Sequence, residues 1–123
     1  MYMNTNNRQT GTLHEQEAAR WLEKQGVIII TQNFRCRNGE IDLIAKHQDY
    51  LVFIEVKYRR SMKSGYPIES VTVSKQKNIC HAADFYRITN HIPDDQPIRY
   101  DIISILNHEI TWYQNAFDHF SLF

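Results

Sequence analysis

Gly39-Glu40-Ile41-Asp42-Leu43-Ile44-Ala45 and Leu51-Val52-Phe53-Ile54-Glu55-Val56-Lys57 are the stretches whose reading decides the fold. Each is short, apolar and bounded by polar residues or glycine, which is the pattern of a β-strand. His47-Gln48-Asp49-Tyr50 between them has the length of a hairpin loop. Pairing Lys46 with Leu51 across that loop sets Asp42 opposite Glu55 and Glu40 opposite Lys57. Side chains alternate along a strand, so Asp42, Glu55 and Lys57 are expected on one face. A slip of one residue would send Asp42 to the other face and dissolve the group, so the reading hangs on register.

Carboxylates opposed in a ladder repel by about 0.2–1 kcal/mol at a surface, and by more where water is excluded. Lys57 can relieve that repulsion, and so can a divalent cation held between the two acids. A hard ion with oxygen ligands, Mg²⁺ or Mn²⁺, suits such a pair, with water completing its shell. The plainer reading is a set of solvated strand residues, since Glu-x-Lys is a common spacing. Hairpin geometry by itself leaves both open.

Downstream, Lys57, Arg59, Arg60, Lys63, Lys75 and Lys77 face the single acid Glu69 in the same interval. Cations beside an acidic pair are what phosphodiester chemistry needs, because phosphate is held while metal ligands stay available. A hydrated basic loop is the alternative. Tyr58 to Val73 reads as irregular, punctuated by Gly65-Tyr66-Pro67. A helix is expected from Ser74 as N-cap to Arg87 or Thr89, with Ile79, Ala82, Ala83 and Tyr86 as its apolar stripe. Lys75 and Lys77 in its first turn oppose the helix dipole, a conflict that a bound phosphate would remove. Ile98 to Leu106 and Glu109 to Tyr113 read as two further strands joined at Asn107-His108. Asn115-Ala116-Phe117, with Phe120 and Phe123, reads as an aromatic tail packing on the domain or on a partner.

Upstream, Thr12 to Gln25 reads as a helix with Ala18, Ala19 and Leu22 inward and Gly26 as its stop. Glu15 shares the inward face and can reach toward the sheet. Thr12-Leu13-His14-Glu15 also fits a capping box, which the pattern alone favours. Val27 to Arg35 is expected to be the first strand, with Val27-Ile28-Ile29-Ile30 its buried part and Asn38-Gly39 its hairpin turn. Helix, three strands, helix and two strands make an α/β fold, a mixed central sheet flanked by helices. The strands either side of the second helix are expected to be parallel.

With 123 residues, 42% of them hydrophobic and 23% charged, the chain is expected to be one domain over residues 11–123. Met1 to Thr10 is polar and reads as a flexible tail. A formal net charge of zero argues against a generic nucleic-acid coat protein. No apolar run has signal-peptide or membrane-spanning length, so a cytoplasmic protein without membrane partners is expected. Cys36 and Cys80 are isolated and read as free thiols, not as zinc ligands or a disulfide. The six histidines show no ligand or nucleophile spacing.

Glu15-x-x-Ala18-x-x-x-Leu22, Asn33-x-Arg35, Gly39 to Ala45, Val52-Phe53-Ile54-Glu55-Val56-Lys57-x-Arg59, Lys75 with Ala82, Arg99-Tyr100-Asp101 and Asn115-Ala116-Phe117 form an ordered series. It spans about Gly11 to Phe117. In it the chain resembles the YraN-type family of small bacterial proteins. That family is similar in turn to the PD-(D/E)XK nucleases of restriction-endonuclease-like fold, archaeal Holliday-junction resolvases especially. The resemblance implies an αβββαβ core in which Asp42, Glu55 and Lys57 are the catalytic trio and Glu15 an additional acid. It implies Mg²⁺ or Mn²⁺ held by Asp42, Glu55 and the Val56 carbonyl. Arg35, Arg59, Arg60, Lys75 and Lys77 would then contact nucleic-acid phosphates, DNA more than RNA, in branched or repair intermediates. A homodimer follows by the same analogy. Two departures stand out. Ile41, not Pro, precedes Asp42, and His14 stands where the family has Gly, which puts close approach beside Glu15 in question. The rival expectations are a nucleic-acid-binding module of this fold without turnover, and an interaction protein docking through its aromatic tail.

Overall fold

Chain order and spatial order coincide in the sheet. Strands β1 (Ile28–Cys36), β2 (Gly39–His47), β3 (Tyr50–Arg59), β4 (Ile98–Leu106) and β5 (Glu109–Phe117) lie side by side. Neighbours are antiparallel except β3 and β4, whose connection carries helix α2 (Val73–Thr89) and so returns parallel. The computed structural model describes residues 4–60 and 71–120, with side chains from residue 12. Lys63, Glu69, Phe123 and the Gly65-Tyr66-Pro67 punctuation lie outside them.

The two helices cover opposite faces. From α1 (Asn4–Lys24), Ala18, Ala19 and Leu22 pack on Leu43, Ala45, Val52, Ile54, Ile103 and Ile105. From α2, Ile79, Ala82, Ala83 and Tyr86 pack on Ile44, Phe53, Tyr100 and Ile102. β4 and most of β3 are therefore buried on both faces and read as near-continuous apolar runs. This is a single-domain α/β fold with the expected element order, and Lys46 does pair with Leu51. Pairing continues to His47 and Tyr50, so the turn is tighter than expected, with Gln48 at φ 57°.

Several local expectations are corrected. Helix α1 begins at Asn4, not Thr12, so Thr12 is intrahelical and no capping box forms around Glu15. Residues 4–10 carry no proline, and a helix already anchored by its apolar stripe extends through Gly11 and on through them. The N-cap of α2 is Thr72, not Ser74; its hydroxyl accepts from the Lys75 N–H at 3.2 Å. β1 is an edge strand, so within the expected buried run Val27 is buried and Ile29 packs on the α1-side core, whereas Ile28 and Ile30 are 64% and 48% exposed. Gly39 is a strand residue paired with Cys36, leaving Arg37-Asn38 as the turn. It must be glycine because a Cβ would land on the Asn78 carbonyl oxygen of α2. The aromatic tail packs on its own domain: Phe117 and Phe120 join the α2-side core, and the Tyr100 hydroxyl meets His119 Nδ1 at 2.6 Å.

One buried network pins the far end of the sheet. Arg99 Nε and Nη2 donate to the two carboxylate oxygens of Asp101 at 2.9 Å each. Asp101, 1% exposed, also accepts from Trp112 Nε1 at 2.8 Å and from the Asn115 N–H at 2.9 Å. That last donor lies where the β4–β5 register shifts between Tyr100 and Ile102 and Asn115 turns to φ 53°. The carboxylate thus replaces a ladder acceptor lost at the bulge.

Two stability measurements check this packing. Gly39→Ala is expected to lower unfolding free energy by about 1–3 kcal/mol in chemical denaturation, since α2 must move off the hairpin. Asp101→Ala is expected to cost about 3–5 kcal/mol, because it strands the buried Arg99 charge.

Candidate functional site

At the opposite end of the β2–β3 hairpin from its turn, the ladder opens. Backbone pairing ends at Leu43 and Ile54. Ile41 packs in the α2-side core and Leu43 in the α1-side core, although residues two apart in a regular strand share a face. The alternation therefore breaks at Asp42. Asn33, the β1 residue between the pairs Gln32–Leu43 and Phe34–Ile41, takes a left-handed φ of 55° at the same level. An asparagine tolerates that conformation where most residues do not.

The break leaves the Val56 N–H without a ladder acceptor, and Asp42 Oδ2 takes it at 2.8 Å. Asp42 is thereby fixed beside Glu55, as the expected register requires. Glu55 is 4% exposed, and its Oε2 holds Lys57 Nζ at 3.4 Å and Lys75 Nζ at 3.6 Å. Its Oε1 is buried without a hydrogen-bond partner. Glu15 reaches the same place from mid-α1, next to Asp42, and its Oε1 is also buried and unpartnered. His14 does not crowd this approach. Its ring stacks on Tyr58 with centroids 3.7 Å apart, bracing α1 against β3.

The electrostatics follow from burial. Glu55 is pushed up to about 7 by desolvation and the Asp42 charge, against the pull of Lys75 and Lys57. Desolvation also raises Asp42 to about 6, opposed by the Val56 N–H and reinforced by Glu15. Glu15 is raised by burial first, while its contacts with Asp42 and the Asn33 side chain pull the other way. Three acids in one water-poor place cannot all ionise without more positive charge than two lysines bring. Among the described residues no three His, Cys, Asp or Glu side chains form a ready-made metal cage. The chemistry of the donors nevertheless fits a hard cation. The acids supply only oxygen ligands, and two of those oxygens, Glu15 Oε1 and Glu55 Oε1, are buried without a hydrogen-bond partner.

Asp42, Glu55, Lys57, Val56 and Glu15 are thus brought together, and Lys75 joins them from the first turn of α2. Arg35 lies on the β1 edge, paired with Glu40 at 3.3 Å, so Glu40 faces Arg35 and not Lys57. Arg59 and Arg60 follow Lys57 at the end of β3, Arg60 exposed. Lys77 turns away and lies over the Phe120 ring, 5.8 Å from its centroid. Sequence reasoning gave Asn33 no role, although Asn33-x-Arg35 is among the residues that carry the resemblance and the strand places Asn33 opposite Asp42. It also missed the Arg99–Asp101 network, whose signal was opposite charges two apart on one strand.

The chain matches the model of the family described as "Uncharacterised protein family UPF0102" over residues 14–105. It is 43% identical over 113 residues to a UPF0102 protein of Lachnoclostridium phytofermentans, covering 92% of this chain and 96% of that one. It is likewise 43% identical to a UPF0102 protein of Legionella pneumophila strain Corby, covering 90% and 96%. A UPF0102 protein of Psychromonas ingrahamii is 45% identical over 109 residues, covering 87% and 88%. The matched span contains every member of the acidic cluster and both lysines.

The raised acids set the sign of a pH effect. Folded carboxyls that titrate near 6 and 7 hold protons which the unfolded chain releases near 4 to 4.5. Metal-free stability is therefore fully present below the unfolded values and is lost as pH rises through the folded ones. Thermal unfolding in chelator between pH 4.5 and 8 is expected to show that loss, on the order of 1–3 kcal/mol. Glu55→Gln is expected to flatten the profile and to be the more stable protein at pH 8.

Proposed function

Given that the chain belongs to the UPF0102 family, we propose that it is a divalent-metal-dependent nuclease that hydrolyses phosphodiester bonds in DNA in the cytoplasm. The observation that carries this reading is Glu55. A carboxylate buried beside a second one, with two lysines on one oxygen and nothing on the other, costs folding stability. Such a cost is characteristic of a site kept for chemistry.

Asp42 and Glu55 would hold Mg²⁺ or Mn²⁺, with the Val56 carbonyl as a further oxygen donor. Bound there, the ion would supply Lewis-acid polarisation of the scissile phosphate and a water of lowered pKa. Each of the chain's own residues has a part. Asp42, fixed by the Val56 N–H, keeps its remaining oxygen directed at the cluster. Lys57 holds the attacking water in line and donates to the phosphoryl oxygens as negative charge builds on them. Glu15, its carboxyl raised by burial, would accept a hydrogen bond from solvent at the site's α1 side. Arg35, Arg59, Arg60 and Lys75 hold flanking phosphates, which gives position without sequence readout. The resemblance to resolvase-like nucleases points to branched or flapped repair intermediates as the substrate.

Two measurements test the proposal. Asp42→Ala is expected to lower Mn²⁺-dependent cleavage of branched or flapped DNA by at least about a hundredfold, while salt-sensitive binding survives. Mn²⁺ titration is expected to broaden amide signals of residues 42 and 55–57 in the unsubstituted protein only. Equal cleavage by both proteins would overturn the reading. Binding without cleavage under any divalent ion would mean a nucleic-acid-binding module of this fold.

A further inference from the structure

Next to the carboxylate cluster lies an open polar groove of about 340 Å³ between the β1–β2 hairpin and α2. Its lining includes Arg35, Asn38, Glu40, Lys75 and Asn78. Lys75 is the residue common to both places. It lines the groove, yet its ammonium is 3.6 Å from Glu55 Oε2. Its backbone is fixed by the Thr72 cap, whereas its four-carbon side chain is free to choose between two directions. The Arg35 charge in the groove is shared with Glu40, in a pair whose side chains are 64% and 48% exposed and which solvent weakens. The side chain of Lys75 thus decides how cationic this groove is.

Glu55 Oε2 already has Lys57 at 3.4 Å, so Lys75 is a second ammonium on one oxygen. Any further positive charge brought to Glu55 repels both, and among the described residues Lys75 has a polar groove to move into. We propose that Lys75 is a two-position switch. It neutralises Glu55 while the cluster lacks a cation, and it swings into the groove to bind a phosphate once the Glu55 charge is satisfied otherwise. The identity of that phosphate, as the nucleotide flanking the scissile one, rests on the nuclease reading; the exchange itself does not. Because coupling between sites is reciprocal, phosphate held in the groove raises cation affinity at the cluster by the same factor.

The test is made without metal, so that an ion cannot bridge to the phosphate. Thymidine 5′-monophosphate is titrated in chelator, and the side-chain amide signals of Asn38 and Asn78 are followed. Glu55→Gln removes the charge that holds Lys75 and is expected to tighten binding about fivefold. That gain is expected to vanish in a Lys75→Gln background and to persist in a Lys57→Gln background, with the remaining amide spectrum reporting an intact fold. An equal gain with Lys75→Gln would show mere loss of repulsion and overturn the switch. So would absence of any tightening in Glu55→Gln, or loss of the gain in Lys57→Gln. Failure of every DNA to be cleaved would remove the nuclease reading and leave this metal-free result standing.

Discussion

The hydrogen bond from the Val56 N–H to the Asp42 carboxylate is the contact on which the site depends. Antiparallel pairing stops just before it, and an edge between two interior strands would otherwise expose an orphaned donor. By supplying the acceptor from a side chain, Asp42 lets the hairpin open while keeping its backbone satisfied. The opening creates the space in which Glu15, Asp42 and Glu55 converge from three elements. The same device recurs across the sheet, where Asp101 accepts the Asn115 N–H at the β5 bulge. There the acid is fully neutralised by Arg99, so the result is a brace. At Asp42 neutralisation is incomplete, so the carboxyls there stay raised by burial.

What tolerates that incompleteness is the packing on either side. Leu43, Ile54 and Ile103 lie under α1, and Ile44, Phe53 and Ile102 lie under α2. The strands that carry the acids are therefore held by two cores at once, and repulsion between carboxylates cannot relax by moving the backbone. It relaxes instead through protons and through the two lysines, which is why the carboxyls are raised while Glu55 keeps both ammonium groups close. Burial thus leaves the acidic pair with less positive charge around it than its full ionisation needs. The acidic cluster and the elements from the second half of α1 into β4 fall within the span matched by the UPF0102 family, and β5 lies beyond it.

The sequence by itself determined the elements, their order, the hairpin register and the facing of Asp42 and Glu55. Those features follow from local periodicity and from a turn short enough to allow one pairing. It also located the apolar stripe of α2 and the parallel return of β4, because a helical crossover is the connection that parallel neighbours require. Only the tertiary structure decided that β1 is an exposed edge, that Gly39 yields to Asn78, and that Glu15 lies within α1 beside Asp42 and not at a cap. It alone brought Lys75 to Glu55 and turned Lys77 toward Phe120. These outcomes depend on how far each helix sits over the sheet and on which donors a bulge leaves unpaired. Both are set by contacts between residues distant in the chain, where local pattern carries no information.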